Sequence, residues 1–252
     1  MTDNAMPLGG QVEGVRAAVI TPKGVAWTLT GIGLLALLPH IGVLVMKHVF
    51  GKPYLGGMAN MFHLNEEHNV PTLIAVFLLM TCAAALVYTA STLPAKSRDR
   101  AGWLLMALVF AFMAFDESVQ IHELTSQPIN DMFNAEILQP FGWVLPYGFA
   151  LIVLGAVLAP WFFRLDRASQ IRFVIAGTIF VVGALGIEII EGAHYRSLGE
   201  ELSPELYTKV NQTLAHDLLW TLQESMEYIG AGYFLYAIIK RLGGIQTAPA
   251  IR

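Results

Sequence analysis

Six apolar stretches, at roughly residues 25–48, 70–92, 101–123, 143–164, 171–195 and 216–241, decide what this chain can fold into. The hydrocarbon core of a bilayer is ~30 Å thick and takes about 20 helical residues to cross. Each stretch is long enough. The chain is 55% hydrophobic and only 13% charged, against roughly 25% charged in a typical soluble domain. A mean hydropathy of +0.57 agrees. The expected fold is an all-α integral membrane protein, a six-transmembrane-helix bundle. A tail at 1–24 precedes a single transmembrane domain at 25–241, and a tail at 242–252 follows it.

Several classes fall away early. The polar, Gly-rich first residues lack the basic segment, short apolar core and small-residue cleavage site of a secretory signal. Cys82 is the single cysteine, so no intramolecular disulfide forms. A net charge of −4 offers nothing to nucleic acid. No Gly-rich phosphate loop and no CxxCH haem attachment site is present.

Orientation follows from Lys and Arg in short loops, which favour the cytoplasmic side. Lys96, Arg98 and Arg100 lie between the second and third stretches, Arg164, Arg167 and Arg172 between the fourth and fifth, and Lys240 and Arg241 after the sixth. The N-terminal tail carries Arg16 and Lys23. The loops on the other side carry Asp131, Glu136, Glu200, Glu201 and Glu205 against Arg196 and Lys209. The loop at 49–69 is mixed, with Lys52 against Glu66 and Glu67. Both termini are therefore expected to be cytoplasmic.

Ionisable groups then gather at one level. The third span runs outward and ends FDESVQIHEL, with Asp116, Glu117, Ser118, His122 and Glu123. At ~1.5 Å per residue, Asp116 stands about 22 Å from the inner boundary. The fifth span ends GIEIIEGAHY, with Glu188, Glu191, His194 and Tyr195. The sixth begins HDLLWTLQESMEY, with His216, Asp217, Glu224 and Glu227, and the second follows NEEHN, which supplies Glu66, Glu67 and His68. Helical spacing of three, four and seven aligns Glu188 with Glu191 and Tyr195, Glu224 with Glu227, and Asp116 with Glu123, and pairs Ser118 with His122. His194 follows Glu191 in a Glu-x-x-His step.

Charged side chains at the helix centre cost at least ~2.5–3.5 kcal/mol each and mark functional sites. Lys and Arg lie at the far side of the membrane, so a bound metal is the economical source of positive charge. The candidate ligands are Glu191, His194, Glu224, Glu227 and His122, with Asp116, Glu117, Glu188 and Glu123 as further ligands. Glu66, Glu67, His68, Ser118, Tyr195 and His216 are a possible lid or outer layer. Carboxylate with imidazole suits iron, manganese or zinc rather than copper(I). The carboxylate excess favours one or two Fe ions over Mn or Zn.

The Glu-x-x-Glu-x-x-His of the fifth span and the Glu-x-x-Glu of the sixth locally resemble the ligand steps of ferritin-like di-iron carboxylate proteins. Ser118-x-x-x-His122 resembles one motif of the intramembrane zinc hydrolases related to alkaline ceramidases and adiponectin receptors, whose paired HxxxH on a late helix is missing. The His-rich boxes of membrane desaturases are absent. The leading expectation is an intramembrane metalloprotein with its site towards the non-cytoplasmic side, a metal-dependent oxidoreductase acting on a lipid-like or small apolar substrate. The alternatives are a zinc-dependent hydrolase, a divalent-cation or proton transporter, a haem subunit with His122 and His194 as axial ligands, and an accessory subunit bound to partner subunits of a larger membrane complex.

Other polar groups have plainer readings. Asn69 and Pro71 suit the start of a helix. His216 and Asp217 are expected above the membrane, and His40 as a buried hydrogen-bonded residue. Trp143, Tyr147 and Trp161 are expected in an interfacial belt or in packing.

Overall fold

The computed structural model describes residues 19–53, 55–64, 66–133, 142–197, 210 and 212–246. Glu136, Glu200, Glu201, Glu205, Lys209, Arg16 and the tail beyond Gln246 lie outside the described residues.

Polar residues set the helix starts. Thr21 accepts the Gly24 N–H at 3.0 Å and Pro22 opens α1 (Pro22–His48). Asn69 accepts the Thr72 N–H at 3.0 Å and opens α3 (Val70–Ser91), with Pro71 in its first turn. Ser97 opens α4 (Arg98–Val119), Asp166 opens α7 (Arg167–Val181), and Thr213 opens α9 (Leu214–Leu242), which Gly243 ends at φ 71°. These are the side-chain oxygens that satisfy otherwise orphaned helix N–H groups. Between α1 and α3 lies the short α2 (Met58–Phe62). After α4 come α5 (Ile121–Phe133) and α6 (Val144–Phe162), and α8 (Glu188–Ser197) precedes α9.

Among the described residues, five helices are long and apolar enough to cross a membrane: α1, α3, α4, α6 and the run Arg167–Tyr195. The sixth expected span, α9, is equally long at 29 residues, but its acids lower its mean hydropathy. It is the central element, packing on α1, α3 and α7.

Two differences from the sequence reading matter. The third span does not continue to 123. The helix stops at Val119, and Gln120 takes a left-handed conformation at φ 58°, its N–H bonded to the Asp116 carbonyl. Asp116 and Glu123 therefore stand on different helices, and so do Ser118 and His122. The fifth span is interrupted by a π-helical segment, Val182–Ile187, directly before Glu188. Such π insertions are frequent at functional sites.

Contacts fix which ends of the helices lie together. The short strand β1 (Val19–Ile20) pairs antiparallel with β2 (Ile245–Gln246), joining the start of α1 to the end of α9. Arg241 pairs with Asp166 beside the start of α7. Aromatic rings pack the core towards this end. Trp103 meets Trp161 and Phe173 edge-on at 4.9 and 6.0 Å, and Phe234 lies 4.7 Å from both Phe110 and Phe173. Cys82 and Leu86 are fully buried there. The candidate site residues occupy the opposite end.

Candidate functional site

Close backbone approach between α7 and α9 creates the geometry. A Cβ at Gly230 would lie 2.7 Å from the Phe180 nitrogen, and one at Gly183 2.9 Å from the Met226 Cβ. Glycine at both positions lets the helices touch. The π segment then delivers Glu188 opposite Gln223, whose Nε2 donates to Glu188 Oε1 at 3.4 Å. The other oxygen, Oε2, is buried without a hydrogen-bond partner, and Glu188 is only 8% exposed.

An open, mainly apolar groove of about 2220 Å³ runs along α1, α4, α6, α7 and α9. Glu67, Asp116, Glu117, His122, Glu123, Glu188, Glu224 and Glu227 line one end of it, and Lys23 and Arg172 line the other. Glu224 stands within electrostatic reach of Glu227, Glu117, Glu67 and Glu188. The groove thus collects carboxylates from α4, α5, α8, α9 and the loop before α3, with His122 as the imidazole among them.

Asp116 has a second task. Its Oδ1 accepts the His122 N–H at 3.0 Å and its Oδ2 lies 3.2 Å from His122 Nδ1. The carboxylate thereby bridges the break at Gln120 and orients the imidazole. Tyr147 lies close enough to feel its charge, although its hydroxyl makes no hydrogen bond of normal geometry. Trp143 packs on the His122 ring at 5.0 Å and on Tyr147 at 5.1 Å. Trp143 and Tyr147 are walls of the groove, and Trp161 is buried in the core.

Of the NEEHN segment, Glu67 reaches the groove, while Glu66 and His68 are exposed and do not line it. Although solvent still reaches Glu67, crowding by neighbouring atoms raises its carboxyl above the ordinary value. Glu123 adds to this, and together they outweigh the Gln120 amide. Ser118 is exposed and lies outside the groove lining.

Glu191 and His194 stand beside the groove rather than on its lining. Glu191 is fully buried, accepts the Trp220 indole N–H on Oε2 at 2.7 Å, and leaves Oε1 without a partner. The same Trp220 packs on His216 at 4.0 Å between ring centroids, with Tyr195 5.5 Å from that imidazole. His216 is fully buried and neither ring nitrogen has a partner.

His216 and Asp217 were expected above the membrane, and both are 0% exposed. Asp217 is enclosed by residues that sequence spacing did not connect. Lys47 Nζ donates to its two oxygens at 3.0 and 2.7 Å, His48 Nε2 lies 2.6 Å from Oδ2, and His63 Nε2 3.4 Å from Oδ1. The rule that Lys and Arg lie far from the acids therefore fails at Lys47, which reaches back from the last turn of α1. His40 is buried as expected. Its Nδ1 accepts the Leu64 N–H at 3.1 Å, so the neutral ring carries its proton on Nε2 and donates to Thr221 Oγ1 at 2.8 Å.

Among the described residues, no three His, Cys, Asp or Glu side chains converge as a formed metal-binding group. The carboxylates surround an open space and do not share one point.

Fold and site together define a helical protein with membrane-length apolar helices around a groove that is acidic at one end. The chain belongs to the family described as Domain of unknown function (DUF8692), which matches residues 26–241. No curated protein and no solved structure matches it.

Proposed function

We propose that the chain is an intramembrane metalloprotein whose acidic groove end binds one or two divalent metal ions, iron before manganese or zinc, and supports oxidoreductase chemistry on a lipid-like or small apolar substrate. One observation carries the reading. Glu188 buries an unpartnered carboxylate oxygen beside Glu224 and Glu227, and no described Lys or Arg lines that end of the groove. An ionised carboxylate without a cation or donor beside it is strongly disfavoured in a dry environment. A metal coordinated by Glu and His from facing helices resolves this in helical bundles.

In this reading Glu117, Glu188, Glu224 and Glu227 supply the oxygen donors, His122 the nitrogen, and Glu67 and Glu123 the mouth. Asp116 holds His122, and the Glu191–Trp220–His216 group supports α8 against α9. Six spans then cross the membrane, α9 included, with both termini cytoplasmic and the acidic end towards the other side. The mainly apolar wall beyond the acids suits hydrocarbon and offers a cation no further described carboxylate to follow, which favours an enzyme over a transporter.

The test is metal analysis by mass spectrometry on detergent-purified protein, beside a Glu224→Gln, Glu227→Gln variant of the same oligomeric state. The expected result is stoichiometric iron or manganese that the variant loses. Absence of stoichiometric metal from the parent protein would sink the reading and leave protonated carboxyls.

A further inference from the structure

We infer that the groove seats a long-chain anionic lipid, its charged head at the Lys23–Arg172 end and its hydrocarbon chain running to the carboxylates. The inference deepens the metalloprotein reading by naming the substrate class of that site, and rests on it to that extent.

The two ends of the groove have opposite chemistry. Lys23 and Arg172 line one end, and neither makes a hydrogen bond or ion pair with a described residue. The acids at that end are already engaged, Asp166 by Arg241 and Ser169, and Asp99 by Arg164. Two cations without partners among the described residues therefore face the groove where a head group would sit. At the other end the carboxylates repel an anion. Between them the wall is apolar, with Leu37, Phe110, Leu154 and Phe180 along it. Charge at the two ends thus dictates which way an amphiphile lies.

Length selects the chain. From Arg172 to Glu188 the helix advances about 24 Å at ~1.5 Å per residue. A lipid chain disordered in the bilayer fills about half of the ~30 Å hydrocarbon core, so a chain has to be both long and extended to approach the acids. Space is available as well. Gly155 and Gly177 line the groove, and a Cβ at either would meet nothing within 4 Å. The reacting carbons would then be those far from the head group.

The experiment uses the full chain in phosphatidylcholine nanodiscs with radiolabelled oleate and octanoate as probes. Near-stoichiometric oleate is expected, with octanoate at least about tenfold weaker. Lys23→Gln with Arg172→Gln is expected to weaken oleate about tenfold, and Lys23→Arg with Arg172→Lys to restore it. Gly155→Leu with Gly177→Leu is expected to block the chain while metal content stays unchanged. Oleate retention indifferent to the charge pair would mean annular lipid only and would overturn the inference, whatever the glycine variants do. Equal binding of octanoate would overturn it too. Metal present without oleate removes this inference and leaves the metalloprotein reading; oleate present without metal does the reverse.

Discussion

Lys47 Nζ lies 2.7 Å from Asp217 Oδ2, joining the last turn of α1 to the first turn of α9. Asp217 is 0% exposed and also receives His48 and His63. Breaking a buried ion pair by removing one partner typically costs about 3–5 kcal/mol, because the other charge is left uncompensated. Asp217→Ala should fall in that range, since it removes the carboxylate that Lys47, His48 and His63 all approach. Lys47→Met should cost less, as His48 and His63 remain on the carboxylate. Thermal unfolding in detergent checks this order, and a larger loss for Lys47→Met would refute the picture of Asp217 as the hub.

The α7–α9 approach makes a second prediction. A Cβ at Gly230 would lie 2.7–2.8 Å from the backbone of Phe180, which cannot yield as a flexible side chain can. Overpacking of this kind costs about 1–3 kcal/mol. Gly230→Ala should destabilise the bundle by that amount. Because the displaced helices carry Glu188 and Gln223, it should also lower metal content. Gly155→Ala, in open space, serves as the silent control in both measurements.

Glu191 separates a supporting role from a binding one. Among the described residues its one hydrogen bond is the 2.7 Å contact from Trp220. Trp220→Phe removes that donor and leaves a buried carboxyl unsatisfied, at about 1–3 kcal/mol. The expected outcome is a lower melting temperature with metal content retained. Loss of metal in Trp220→Phe equal to that in Glu224→Gln would move Glu191 from the support into the metal site.

The same residues show how much the sequence made legible. Apolar runs of about 20 residues are a strong signal, and the helices begin and end within a few residues of where those runs do. Asn69, with Pro71 behind it, opens α3 as capping chemistry predicts. The gathering of carboxylates was legible too, because each helix end carries its acids at a readable height. What spacing could not provide was direction. The left-handed Gln120 breaks a pattern of identical-looking helical intervals, and the π segment before Glu188 rotates the residues after it. Neither has a distinctive residue signature: Gln is not a common left-handed residue, and VGALGI reads as plain helix. Lys47 ends an apolar stretch like any helix-terminal lysine, yet its long side chain reaches Asp217, a contact set by tertiary packing across 170 positions.

The last prediction concerns pH, at a group outside the spans. Partial desolvation acts upward on Asp166, but the Ser169 N–H and hydroxyl and the Arg241 guanidinium outweigh it and hold the carboxyl below its ordinary value of 3.8. A carboxyl depressed in the folded state contributes stability above its unfolded value, and that contribution is lost as pH falls through the folded value. The window is therefore acidic, from about the ordinary carboxylate range downward. Asp166 is half exposed, so the effect is small, within the ~0–1 kcal/mol of surface pairs. Asn caps helices about as well as Asp. Asp166→Asn should thus keep α7 at neutral pH while removing this part of the acid sensitivity, and Asp166→Ala should lose about 1 kcal/mol at neutral pH. Melting curves of the three proteins from neutral pH down to the carboxylate range decide it. An Asn variant that follows the parent curve throughout would show that Arg241 contributes nothing through the Asp166 charge.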